Sequence, residues 1–154
     1  MSECVLVVDD DPVTLKLISK AIESSEMEWV AAASGEEALG LMQTESIAVL
    51  VTDLVMPGID GIELFARARL QRPLLRGILT SAHLDYGTLL RIIEVGFDDC
   101  MIKPIGDLHE LATSVRNSLS LQRLWRARIA ELRGFTMQEV DETDETDEPR
   151  ESAR

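Results

Sequence analysis

The sequence predicts an α/β protein: a doubly wound, five-stranded parallel sheet with an extended last helix. Three observations carry this. Short apolar runs alternate with amphipathic stretches about every 20 to 25 residues, the period of βα units rather than of hairpins. The runs are apolar at successive positions, as strands covered on both faces must be. They also end in polar residues, as they do where an open parallel sheet gathers a site outside its strand ends.

The first run, Cys4 to Val8, is a buried strand that gives way to Asp9, Asp10, Asp11 and Pro12. Asp11 is placed to cap a helix and Pro12 to open it, because proline's fixed φ suits the first helical position and its missing N–H is not needed there. Leu15, Ile18, Ala21 and Ile22 follow at helical spacing. Met27 to Ala33 forms the second strand, and Ser34-Gly35-Glu36-Glu37 reads as a capping box opening a helix that reaches about Thr44.

The chain is organised around Val49 to Gly61, VLVTDLVMPGIDG. A buried strand, Ala48 to Thr52, delivers Asp53 to its carboxyl end, and Met56-Pro57-Gly58 turns the chain. Asp60 and Glu63 cap a third helix bearing Ile62, Leu64, Phe65, Ala68 and Leu70. Gly77 to Thr80 is the fourth strand, Tyr86 to Val95 a helix stopped by Gly96, and Asp99 to Ile102 a short fifth strand running into Lys103-Pro104. Asp107 and Glu110 cap a last helix that continues to about Arg133. From Gln138 the composition becomes DETDETDE, too poor in apolar surface to fold. The expected organisation is a globular domain over 1–119, a helical extension over 120–137 and a disordered acidic tail over 138–154.

Composition narrows the function. The 154 residues are 45% hydrophobic, enough for one real core, and the formal net charge is −13. The acidity is uneven, with eight acids against two arginines in 139–154. An acidic body argues against nucleic acid or an anionic membrane as the main partner. Cys4 and Cys100 sit in apolar runs without metal-type spacing and read as reduced core thiols. With no apolar segment of spanning length and no signal-like N-terminus, the expected location is the cytoplasm.

Four strand ends carry polar groups: Asp9 and Asp10, Asp53, Thr80 with Ser81, and Lys103. A parallel sheet puts all of them on one edge. Clustered carboxylates repel one another unless a divalent cation neutralises them, and an oxygen set without His or Cys suits Mg²⁺, which keeps waters and recruits a phosphate oxygen. Lys103 supplies a point charge for that phosphate.

The motifs VLVVDDDPV, VTDLVMPGIDG, ILTSAH and MIKP, spread over about residues 3 to 119, resemble the receiver domain of two-component response regulators. The resemblance implies the flavodoxin-like strand order 2-1-3-4-5. It implies that Asp53 accepts a phosphoryl group from a sensor histidine kinase or histidine phosphotransfer protein. Asp10 would hold Mg²⁺ directly and Asp9 through water, with the backbone carbonyl of Val55 as a further ligand. Of the two hydroxyls, Ser81 matches the family's spacing of 22 residues before Lys103. Lys103 would pair with the phosphoryl group, and the Lys103-Pro104 bond would be cis. Cys100 departs from the family, which carries Tyr or Phe at that position; switching is expected without an aromatic follower.

Simpler readings hold for other polar residues. Asp11, Asp60, Asp98, Asp99 and Asp107 read as caps or turn formers, His83 and His109 as structural or solvated, and Trp29 as core. The expected function is a phosphorylation-dependent switch acting on a downstream protein, not an enzyme beyond its own phosphoryl transfer and hydrolysis at Asp53. A receiver cut from a longer regulator is the alternative. An aspartyl-phosphate phosphatase fits less well, because its general acid would fall at position 55, which is Val. Finally, Leu108, Leu111, Ala112, Val115 and Leu119 form one apolar face of the last helix. Leu121, Leu124, Trp125, Ile129 and Leu132 form a second, rotated by about 100°. The second face predicts a homodimer through the last helix.

Overall fold

The computed structural model describes residues 3–143, with side chains described as far as residue 134. Strands β1 (Cys4–Val8), β2 (Glu28–Ala32), β3 (Ile47–Asp53), β4 (Arg76–Ser81) and β5 (Asp99–Ile102) alternate with helices α1 (Pro12–Ser24), α2 (Gly35–Thr44), α3 (Gly61–Gln71), α4 (Tyr86–Val95) and α5 (Leu108–Thr143). Every pairing is parallel, in the order β2-β1-β3-β4-β5. The doubly wound sheet read from the sequence is the fold of the chain.

Alternation along each strand feeds two apolar layers. Leu6, Val8, Leu50 and Leu79 face one side, where α2, α3 and α4 contribute Ala38, Met42, Leu64, Phe65 and Ile92. Val5, Val7, Val49, Val51 and Ile78 face the other, against Ile18 and Ile22 of α1 and Leu111, Val115 and Leu119 of α5. β3 is buried throughout its length, so its last residue, Asp53, is carried to the sheet edge by a strand that cannot shift.

The helices start where capping chemistry puts them. Asp11 accepts from the Val13 amide at 3.2 Å and from Thr14 Oγ1 at 2.7 Å, with Pro12 in the first turn. Ser34 accepts from the Glu37 amide at 3.1 Å, while Glu37 returns to the amide of Ala33, one residue earlier than in the usual box. Asp60 and Asp107 cap α3 and α5 in the same way.

Leu70 lies in α3 as expected, exposed at its end. Two expectations need correction. Asp98 and Asp99 are more than turn formers. Asp98 accepts from Arg76 Nε at 2.9 Å and from Ser118 Oγ at 2.9 Å, and Asp99 accepts from Ser114 Oγ at 2.6 Å, so together they tie β5 to β4 and α5. Helix α5 does not stop near Arg133 but continues to Thr143, so the boundary expected at 138 falls inside it. Once a helix is nucleated, good formers such as Met137, Gln138 and Glu139 extend it, and no proline follows until Pro149. The rest of the acidic tail, 144–154, lies outside the described residues.

By packing, the chain divides into two units, Met1–Gln122 and Arg123–Arg154. Within the first, Leu111, Ala112, Val115 and Leu119 are buried. Within the second, Leu124, Trp125, Ile129 and Leu132 are exposed. Among the described residues, no helix is long and apolar enough to cross a membrane.

Candidate functional site

Strand register assembles the site. Val8 lies opposite Thr52, Asp53 opposite Thr80, and Ser81 opposite Ile102. The residue that follows β1, Asp9, therefore comes to rest beside Asp53, and Lys103 emerges just past β5 at the same edge.

Asp9 and Asp53 are 1% and 8% exposed, a placement that desolvates two carboxylates and is tolerable only with partners. Lys103 supplies one. Its Nζ donates to Asp9 Oδ2 at 2.7 Å and lies 3.2 Å from Asp53 Oδ2. The other oxygen of Asp9 accepts from the Asp11 amide at 2.9 Å. Asp53 is less well served: burial pushes its pKa above the ordinary carboxylate value and the charge of Asp9 adds to the rise, against the pull of Lys103. For Lys103 burial works against the charge, but hydrogen bonds to Asp9 and Asp53 outweigh it and the pKa is raised.

Asp10 is exposed and completes an acidic group, since one oxygen each from Asp9, Asp10 and Asp53 lie within 4.8 Å of one another. In an octahedral shell of radius about 2.1 Å neighbouring ligands lie about 3 Å apart and opposite ones about 4 Å, so side-chain rotation would draw these three oxygens together around a small hard cation. The donor set is all oxygen, which suits Mg²⁺ and not a thiophilic metal.

The loop after β3 is fastened from several sides. The Leu54 amide donates to the Thr80 carbonyl at 2.9 Å, and the Gly61 amide to the Leu54 carbonyl at 2.9 Å. A Cβ on Gly61 would stand 2.2 Å from the Asp53 carbonyl oxygen, so only glycine lets α3 start this close to the strand end. Gly58 turns the loop at φ +83°, a conformation that L side chains avoid. Next to it, Glu36 of α2 accepts from the Ile59 amide at 3.4 Å. The sequence reading missed this role of Glu36, because it joins residues 23 positions apart and a capping box already accounted for the glutamates. Val55 lies in this loop with 74% of its surface exposed.

The two hydroxyls part company. Thr80 Oγ1 donates to the Thr52 carbonyl inside the sheet, at 3.4 Å. Ser81, at the strand end, donates to the His83 carbonyl at 2.6 Å and accepts from the His83 amide at 3.3 Å. His83 thus enters the site through its backbone, a contact its side-chain chemistry did not announce. The Lys103-Pro104 bond is cis. Cys100, half-buried, carries a thiol whose pKa burial raises, with Asp99 adding to the shift.

Comparison with known proteins places this arrangement. The chain is 40% identical over 111 residues to the virulence sensor protein BvgS of Bordetella bronchiseptica, covering 66% of this chain and 9% of that protein. It is 36% identical over 107 residues to the alkaline phosphatase synthesis transcriptional regulatory protein PhoP of Bacillus subtilis, covering 68% of this chain and 43% of that one. The chain therefore spans less than half the length of either relative. The structure of the Francisella response regulator 1452 receiver domain superposes with a TM-score of 0.70 at 32% identity, over 76% of this chain and 96% of that domain. The family profile described as "Response regulator receiver domain" matches residues 5–116, from β1 into the packed half of α5, and so takes in every strand end that forms the acidic edge. On this evidence the chain belongs to the receiver domains of response regulators, the signalling domains of two-component systems.

Proposed function

We propose that the chain is a phosphorylation switch in which Asp53 accepts a phosphoryl group from a sensor histidine kinase or histidine phosphotransfer protein. The observation that carries this reading is the placement of Asp53 at the end of β3, against Asp9 and Lys103 and within 4.8 Å of the oxygens of Asp9 and Asp10. In the transfer, a carboxylate oxygen of Asp53 attacks phosphorus in line with the departing imidazole nitrogen. The O–P bond forms as the P–N bond breaks, and the nitrogen keeps the electron pair. Charge spreads over the three equatorial oxygens, and the residues' task is to hold the partners in line and offset that charge. Lys103, already 3.2 Å from Asp53 Oδ2, needs only a small movement to pair with the arriving phosphoryl group.

Mg²⁺, held by Asp9, Asp10, Asp53 and the Val55 carbonyl, would supply the remaining neutralisation. Ser81 would exchange its bond to the His83 carbonyl for one to a phosphoryl oxygen, and this couples the modification to the loop after β4. At position 100 the small thiol of Cys100 has no rotamer swing to make, so the output surface would change through backbone shifts alone. Hydrolysis would be slow, because Val55 offers the attacking water no hydrogen bond. The activity is limited to this self-catalysed transfer and hydrolysis, the compartment is the cytoplasm, and the readout is an altered surface offered to a downstream protein.

The exposed row Leu124, Trp125, Ile129 and Leu132 supports a further part of the reading, a homodimer through α5. Acetyl phosphate tests the switch: incubation with Mg²⁺ should add one phosphate to the intact mass, and chelator should abolish the gain. An unchanged mass, or a gain that survives chelation in full, contradicts the proposal.

A further inference from the structure

On the face of the sheet packed by α1 and α5, two helices serve five strands, and the edge strand β2 is left short of cover. Its residues on that face, Trp29 and Ala31, are only half-buried. Between them and α1 lies a cleft of about 370 Å³, walled by Leu15, Trp29 and Ala31 and edged by Lys16, Lys20 and Glu23. Ser19 also lines it. That serine is 4% exposed, and its Oγ has no hydrogen-bond partner. A serine inside a helix ordinarily gives its hydroxyl to the carbonyl four residues back, and Ser19 Oγ makes no such bond. Among the described residues, Lys16 and Lys20 form no ion pair.

We propose that this cleft binds a small organic anion with a flat apolar body. The body lies against Trp29 and Leu15, the anionic head sits between Lys16 and Lys20, and Ser19 Oγ donates to it. The size and lining, mostly apolar with a few convergent polar groups, are those of small-molecule sites. Two ammonium groups against one carboxylate, Glu23, select a negative head over a positive one. None of these groups belongs to the acidic edge around Asp53, so the site stands whether or not Asp53 is phosphorylated.

The chain has two tryptophans, Trp29 in the cleft and Trp125 on α5, which makes the test internally controlled. The full chain, labelled with ¹⁵N, is titrated with 1-naphthylacetate, with 1-naphthyl phosphate and with neutral 2-(1-naphthyl)ethanol, and the two indole N–H resonances are followed; Trp125→Phe assigns them. The proposal expects at least one anion to move the Trp29 resonance saturably while that of Trp125 stays put. The neutral analogue should bind at least about fivefold more weakly, the worth of two exposed cations. Lys16→Glu/Lys20→Glu, at exposed positions that leave the core intact, should lose the anion by a similar factor, and Ser19→Ala should weaken it without unfolding the chain. No shift of Trp29 with either anion up to millimolar concentration, equal shifts at Trp125, or undiminished binding in the charge-reversed variant would each overturn the proposal.

Discussion

Two regions of this molecule invert the usual partition of polar groups outside and apolar groups inside. At the carboxyl ends of the strands, Asp9 and Asp53 are buried in a charged cluster with Lys103. On the second stretch of α5, Trp125 is 49% exposed and Leu124 is 47% exposed. Each inversion is informative because it costs free energy where it stands. The difference lies in how each can be relieved. A buried carboxylate needs a charge, a proton or a bond to oxygen, and that need is the basis for the phosphorylation proposed at the strand ends. An exposed apolar row needs only another surface, and that need is the basis for the dimer proposed through α5. Changes at the first site should therefore disturb both the fold and the reaction, and changes at the second should disturb neither.

The largest effect is expected from Lys103→Ala. It strands Asp9 and Asp53 without their cation and should lower metal-free stability by about 3 kcal/mol in urea unfolding, the scale for removing one partner of a buried pair. Millimolar Mg²⁺ should restore part of the loss. An unchanged midpoint without metal would show that the cluster is better solvated than its burial indicates.

pH sharpens the same point. The folded pKa of Asp53 is raised above its ordinary 3.8, so its contribution to stability is greatest below that value and is lost as pH rises through the folded pKa. Asp53→Asn should accordingly be more stable than the wild type at neutral pH without Mg²⁺, and the gap should close in acid. The pKa of Lys103 is also raised, from 10.5, so its contribution is complete below that value and fades as pH climbs past the folded one. A wild type whose unfolding midpoint is flat from neutral pH to pH 11 would contradict the pairing.

On α5 the expected effects are on assembly. Trp125→Glu/Ile129→Glu should halve the mass seen by light scattering, with stability changed by no more than about 0.5 kcal/mol and phosphorylation intact. A wild type that is monomeric at tens of micromolar would remove the dimer. The smallest effect is expected at Val55. Val55→Asn and Val55→Glu should shorten the lifetime of the phosphorylated protein by giving the hydrolytic water a hydrogen-bond partner, and identical decay in all three proteins would count against that role.

Most of this was legible in the sequence, for physical reasons. Apolar runs read as strands covered on both faces, and proline and glycine mark the turns that follow them, so β3 with Asp53 at its end could be read from residues 48 to 61, whereas the part of Asp53 in a site needed the other strand ends as well. Local capping was equally plain at Asp11, Ser34, Asp60 and Asp107. What escaped are contacts between distant segments. Glu36 reaching the Ile59 amide, Ser118 and Arg76 meeting at Asp98, and the orphaned hydroxyl of Ser19 all depend on how elements pack, which periodicity does not encode. The end of α5 was misplaced for another reason. The acidic composition after Gln138 resembles that of an unfolded chain, but its first residues are also good helix formers next to an existing helix.

In the proposed switch Asp53, and neither Asp9 nor Asp10, takes the phosphoryl group. Borohydride reduction after acetyl phosphate treatment tests it most directly, because it cleaves an acyl phosphate and leaves homoserine at the modified position, which peptide mass spectrometry can locate. Homoserine is expected at position 53, dependent on Mg²⁺ and absent from Asp53→Asn. Homoserine at position 9 or 10 in the wild type, or undiminished labelling of Asp53→Asn, would contradict it.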